Sequence, residues 1–210
     1  MSDAYDTIRG EVEHEIEISR SRFLTRLVRV ETEESARAVI AEVRAEHPRA
    51  RHHCSAFVIG PDSRIRRSND DGEPSGTAGA PMLEALVASE LSDVVAVVTR
   101  YFGGVLLGAG GLTRAYRRAV VEAAQRAERV HRAQRTEVAV RCSYEVAGVI
   151  EAEARRRGYG VGTADYGEAV LQRYAVAAAE IAPLEALVAE ASAGAAGVEV
   201  GSAVWVDLDD

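Results

Sequence analysis

The chain has 210 residues and a mass of 22.5 kDa, room for one large domain or two modest ones. Hydrophobic residues make up 47% and charged residues 28%, the balance of a soluble globular protein, and no run of about 18 apolar residues offers a membrane span. A net charge of −8 and a pI near 5.3 argue against bulk, sequence-blind binding to nucleic acid. Two cysteines, Cys54 and Cys142, exclude a disulfide scaffold and a four-cysteine zinc site, and point to reduced thiols in a cytoplasmic protein. The start, Met1 to Asp6, is polar and acidic, unlike a secretory signal or a transit peptide. All 25 basic residues are arginine, so no lysine is present for Schiff-base or P-loop chemistry. Residues 1–132 hold 19 Arg against 20 acids, and the rest of the chain 6 against 13. A polyanionic partner therefore belongs to the first part.

Val12, His14, Ile16 and Ile18 alternate with glutamates, predicting a strand with one wet face near a sheet edge. Phe23–Val30 reads as its hairpin partner across a turn at Ser19–Arg22. Ala36, Val39, Ile40 and Val43 mark an amphipathic helix that ends before Pro48. His53–Ile59 is a third strand. Pro61–Gly76 is mostly polar and reads as a long loop, of the kind that is often functional. Met82, Leu83, Leu86 and Val87 give a second helix, with Pro81 in its first turn. Val94–Val98 is continuously apolar, a strand buried on both faces. After a loop at Arg100–Gly111, a long stripe from Leu112 to Ala127 forms a third helix. The second part reads as strand Glu137–Cys142, helix Glu145–Arg157, strands Tyr159–Asp165 and Ala169–Ala177, helix Pro183–Ala191 and strand Val198–Val206. That is the βαββαβ order of ferredoxin-like domains.

Five glycines fall between Gly103 and Gly111, where Gly103, Gly104, Gly108, Gly110 and Gly111 sit between a buried strand and a helix. Glycine lets backbone approach a ligand, and a helix start offers free N–H groups to an anion. Arg100 and Tyr101 enter this loop and Arg114 leaves it. Ala109-Gly110 stands where a P-loop needs Lys-Ser/Thr, and Thr113 where a dinucleotide fingerprint needs its third glycine, so neither site is predicted. The loop remains either an anion contact or a turn packed against a neighbouring strand.

Asp70, Asp71 and Glu73, followed by Ser75 and Thr77, form a second dense stretch. The carboxylates could hold a hard cation or act as a base. Asp-Gly is equally a turn signal, and Ser75 or Thr77 suits a helix cap. Arg51, His52, His53 and Cys54 open a strand, with His52 and Cys54 on one face. They read either as a cysteine nucleophile or zinc site, one ligand short in sequence, or as a buried cysteine beside a surface histidine. Arg114, Arg117 and Arg118 share one helical face, either a solvated face with Arg118 near Glu122 or a basic strip for phosphates. Tyr101, Phe102 and Tyr116 are the aromatics placed to stack a base, although Phe102 and Tyr116 equally suit a core.

Asp70-Asp71-Gly72-Glu73-Pro74-Ser75-Gly76-Thr77-Ala78-Gly79, together with Arg100-Tyr101-Phe102-Gly103-Gly104 and Leu107-Gly108-Ala109-Gly110-Gly111-Leu112, resembles the YigZ/IMPACT family. Ser21-Arg22-Phe23 and the His52–Ala56 strand fit the same pattern. The resemblance implies an α+β protein of two domains. Residues 1–132 would be a ribosomal-protein-like α/β two-layer domain, and 133–210 a ferredoxin-like domain similar to the last domain of elongation factor G. Both relatives touch RNA, and the eukaryotic members regulate translation initiation through protein partners. The family often has Lys where Arg22 and Leu106 stand here; Arg22 keeps the charge and Leu106 loses it.

The expected function is an RNA- or ribosome-associated binding protein that modulates translation. The contact residues would be Arg51, His52, Asp70, Asp71, Glu73, Ser75, Thr77, Arg100, Tyr101, the five loop glycines, Arg114, Arg117 and Arg118. No catalytic residue, cofactor or metal is predicted. Two alternatives stay open, a protein-interaction module and an enzyme acting on a small phosphorylated or anionic substrate.

Overall fold

The computed structural model describes residues 3–208. Met1, Ser2, Asp209 and Asp210, which the expected spans 1–132 and 133–210 include, lie outside the described residues. The chain divides into two compact units, one ending at His131 and one running from Arg132 to Leu208.

After β1 (Ala4–Ile8), the first unit is built on β2 (Glu11–Ile18), β3 (Ser21–Arg29), β4 (His52–Ile59), β5 (Ile65–Asn69) and β6 (Val94–Tyr101). Their order is β2-β3-β6-β4-β5, and every neighbouring pair is antiparallel. Ile18 pairs with Ser21, so the hairpin closes through Ser19 and Arg20 alone, both at positive φ. That is the mirror-type turn whose twist matches the flanking strands. It is shorter than the expected Ser19–Arg22 because Ser21 and Arg22 already pair with Ile18 and Glu17.

The central strand β6 has no exposed residue from Val94 to Val98. Both of its faces therefore need cover. Helix α1 (Glu33–Glu46), started by a Thr32–Ser35 capping box, packs Ala36 and Val43 on Val95, Val97 and Phe57. Helices α2 (Gly79–Ala88) and α3 (Gly108–Arg126) pack Met82, Leu86, Ala115, Tyr116 and Ala119 on Val94, Ala96 and Val98. The unit thus has three layers, which corrects the two-layer expectation.

Two further differences bear on the site. The stretch 61–76, expected as a loop, contains β5, an edge strand whose only apolar residue is Ile65. With four of its five residues exposed, it has no buried face to impose a period-two pattern. Helix α3 begins at Gly108, so the expected loop 100–111 shrinks to residues 102–107. Three of the five glycines, which pattern-reading treats as breakers, form its first turn. Gly79 opens α2 so close to β5 that a Cβ there would sit 2.8 Å from the Asn69 nitrogen.

The second unit comprises most of β7 (Arg129–Cys142), then α4 (Tyr144–Arg156), β8 (Gly160–Tyr166), β9 (Val170–Val176), α5 (Ile181–Ala191) and β10 (Gly197–Leu208). β9 pairs antiparallel with β7 and with β8, and β10 also pairs with β7. Val138, Val140, Ile150, Tyr174, Leu184 and Val188 form its core. The Arg155–Arg157 run is occupied by Glu151 and Glu153. The protein is of the α+β class. None of the described helices is long and apolar enough to cross a membrane.

Candidate functional site

The acidic stretch is an ordered turn between β5 and α2, and each carboxylate has a defined task. Asp70 accepts from the backbone N–H groups of Gly76 (2.8 Å), Ala78 (3.0 Å) and Gly79 (2.8 Å). It thereby caps α2 from a distance, where Ser75 or Thr77 was expected to do so. Ser75 is exposed, and the Thr77 hydroxyl instead donates to the Pro74 carbonyl at 2.6 Å. Asp71 accepts from Arg44 (2.7 Å) and from the His53 N–H (2.6 Å). Burial alone would raise both carboxyls, but these donors outweigh it and hold each below the usual carboxylate range. His52 sits against Gly72 and donates Nδ1–H to the Asp71 carbonyl at 2.9 Å, because that carbonyl can only accept.

Glu73 turns inward. Only 8% exposed, it receives Arg100 at 2.7 Å and the Tyr116 hydroxyl at 2.8 Å. Arg100, 7% exposed, lies between the Phe23 and Phe102 rings at 5.5 and 5.6 Å. The Gly103 N–H donates to the Ser21 hydroxyl at 3.2 Å, and a Cβ at Gly103 would come within 2.0 Å of the Arg20 carbonyl. Glycine at 103 thus serves the approach of the β2–β3 turn. Cys54 donates its thiol to the Asp70 carbonyl, and burial pushes its pKa up to about 12, far from a reactive thiolate. Tyr116 is completely buried and its hydroxyl is pushed far above its ordinary range by burial, so it stacks no base.

Accessible positive charge gathers on the other side of this turn. A cleft of 570 Å³ is lined by Arg49, Ala50, Arg51, His52, the Arg100–Phe102 segment and Leu106. Arg49 and Arg51 are exposed and make no ion pair among the described residues. Phe102 is 53% exposed, Leu106 88%. Tyr101 is anchored by His47 at its hydroxyl (3.1 Å) and by the Arg22 guanidinium over its ring. Arg114 is also exposed and unpaired among the described residues, with its guanidinium beside Gly110 in the first turn of α3. Arg117 and Arg118, by contrast, are engaged by Glu84 and Glu122.

The structure therefore brings Arg51, His52 and Tyr101 together at one cleft. It puts Glu73 and Arg100 inside the protein, makes Asp70 and Asp71 hold the turn, and leaves Arg117 and Arg118 on a paired surface. Gly104 and Gly108 turn the chain at positive φ, and Gly111 packs against Leu107. Arg49 was missed; its place one residue after Pro48 and two before Arg51 was the available signal. Among the described residues, no three His, Cys, Asp or Glu side chains converge as a metal site would require.

The Impact N-terminal domain family matches residues 19–124, which take in the turn, the glycine loop and the cleft. The chain belongs to the IMPACT family. The IMPACT family member YvyE of Bacillus subtilis (strain 168) is 45% identical over 170 residues, covering 81% of this chain and 78% of the relative. The IMPACT family member YigZ of Escherichia coli (strain K12) is 43% identical over 180 residues, covering 85% and 88%. A crystal structure of a hypothetical protein superposes with a TM-score of 0.67 at 39% identity, covering 96% of this chain and 98% of that one.

Two expectations test this IMPACT-family site. Glu73→Ala strands Arg100 without its carboxylate, so it should cost about 3–5 kcal/mol of stability in urea unfolding; a near-neutral result would refute the role given to Glu73. Asp70 has a depressed folded pKa, so its stabilisation is complete above the unfolded value of about 4 and is lost as pH falls through the folded one. The stability gap between wild type and Asp70→Asn should accordingly stay constant above about pH 5 and narrow as pH falls below about 4. A gap constant with pH would contradict the capping account.

Proposed function

We propose that this chain is an RNA- or ribosome-associated binding protein that modulates translation, with the Arg49–Arg51–Phe102 cleft as its contact surface. The observation that carries this reading is the pairing of two unengaged guanidiniums with an exposed aromatic ring. Guanidiniums take phosphate oxygens in fork geometry, and a ring offers a stacking platform to any base. Arg20 and Arg114, also unpaired among the described residues, extend the positive surface beyond the cleft. The acidity of the second unit repels a polyanion and favours its confinement to the first. In this reading the first unit is the ribosomal-protein-like domain, residues 1–132. The second is the ferredoxin-like domain, residues 133–210, and its βαββαβ order supports that assignment.

One observation favours a second reading, a protein-docking role for the same loop: Leu106 and Val105 stand out into solvent beside Phe102. Salt dependence separates the two. For RNA, a titration of the double variant Arg49→Ala, Arg51→Ala should lower the slope of log K against log salt by about 2. Arg117→Ala, Arg118→Ala should leave it nearly unchanged, since their charge is already spent on Glu84 and Glu122. Equal effects of both double variants would reject the cleft as the RNA contact.

A further inference from the structure

We propose that the groove between α1 and the β4–β5 side of the first unit binds a small phosphate monoester, at a place separate from the RNA cleft. The groove has a volume of 620 Å³, with Arg37 and Arg44 of α1 and Arg67 of β5 on its walls and His53 and Ser55 of β4 on its floor. Farther along the same face, β4 carries Phe57 and Ile59, which pack with Ala36 and Val43 of α1. At His53 and Ser55 the layer turns polar although both residues are buried, 3% and 5% exposed.

The Ser55 hydroxyl has no hydrogen-bond partner among the described residues. His53 shares Nδ1 with the Thr99 hydroxyl at 3.1 Å, and its other ring nitrogen has no partner among them either. Neither atom is sealed from solvent, so both face the open groove, where a ligand can take the place of water. The walls say which kind. Arg44 is held by Asp71 at 2.7 Å, while Arg37 and Arg67 share one carboxylate, Glu33, at 3.2 and 3.9 Å. Three guanidiniums over two carboxylates leave an excess of positive charge, and the long Arg67 contact is easily exchanged. A phosphate dianion meets Arg67 and Arg37 in fork geometry and accepts from Ser55. The volume exceeds a bare phosphate and falls in the range of small-molecule pockets, and Ile40 provides an apolar wall for the esterified group.

The test titrates the full chain with adenosine monophosphate and with inorganic phosphate at constant ionic strength, by calorimetry and thermal unfolding. The expected result is saturable binding of at least one probe, weakened about tenfold or more by Arg67→Ala and likewise by Ser55→Ala. Ser55→Ala removes no contact within the protein, so its melting temperature without ligand should match wild type. Arg49→Ala, Arg51→Ala should keep the phosphate affinity while losing RNA affinity, so the two sites succeed or fail independently. No saturable response to either probe, or one that either groove variant leaves unchanged, would overturn the proposal.

Discussion

The Arg100 guanidinium lies inside the first unit with the Glu73 carboxylate 2.7 Å away, and neither can be removed without stranding the other. This contact joins three pieces of chain that are distant in sequence. Glu73 belongs to the turn before α2, Arg100 ends the central strand β6, and Tyr116, the third partner, comes from α3. Ser21 and Phe23 of β3 complete the surroundings from the adjacent strand. A desolvated ion pair contributes little net stability over a well-packed apolar alternative, but breaking it is expensive. Its effect is therefore one of specification. The contact ties the turn, the start of β3 and the middle of α3 to the end of β6.

That constraint decides where function can lie. Asp70, Asp71 and Glu73 are occupied by backbone N–H groups, Arg44 and Arg100, so they have little capacity left for a cation or a substrate proton. Arg100, which also closes this network, presents no charge to solvent. What the network does supply is a rigid rim: it holds Tyr101 and Phe102 at the end of β6, beside the 49–52 segment that opens β4. The free arginines stand on that rim, and a surface built on a locked core loses little entropy on binding. A chain with an overall charge of −8 thus offers a local cationic cleft.

The main outlines of this arrangement were legible in the residues. The Val94–Val98 run identified the central strand, period two identified the β2 edge, and the α3 stripe from Leu112 onward was read correctly. β1 and β5 were not, because a short edge strand rich in polar residues carries no hydrophobic period. The start of α3 was hidden by its glycines. The site was harder to read than the fold, because residue type alone does not reveal which way a side chain points. Glu73 and Asp71 look alike in the chain, yet one faces the core and the other ties the turn to Arg44 and the start of β4. Arg100 and Arg51 carry the same charge, but only the burial of β6 removes one of them from solvent. Arg117 and Arg118 look like a basic strip until Glu84, more than thirty positions away, is placed beside the first of them.

The central claim is that the motif acids hold the fold while the Arg49–His52 and Tyr101–Leu106 segments meet the ligand. Amide chemical-shift mapping of the isotope-labelled protein against a short single-stranded RNA tests it most directly. The account predicts shifts concentrated at residues 49–52 and 101–107 that fade with added salt, with little change at Glu73 and across 132–208. Shifts centred in the second unit, or none at low salt, would contradict it.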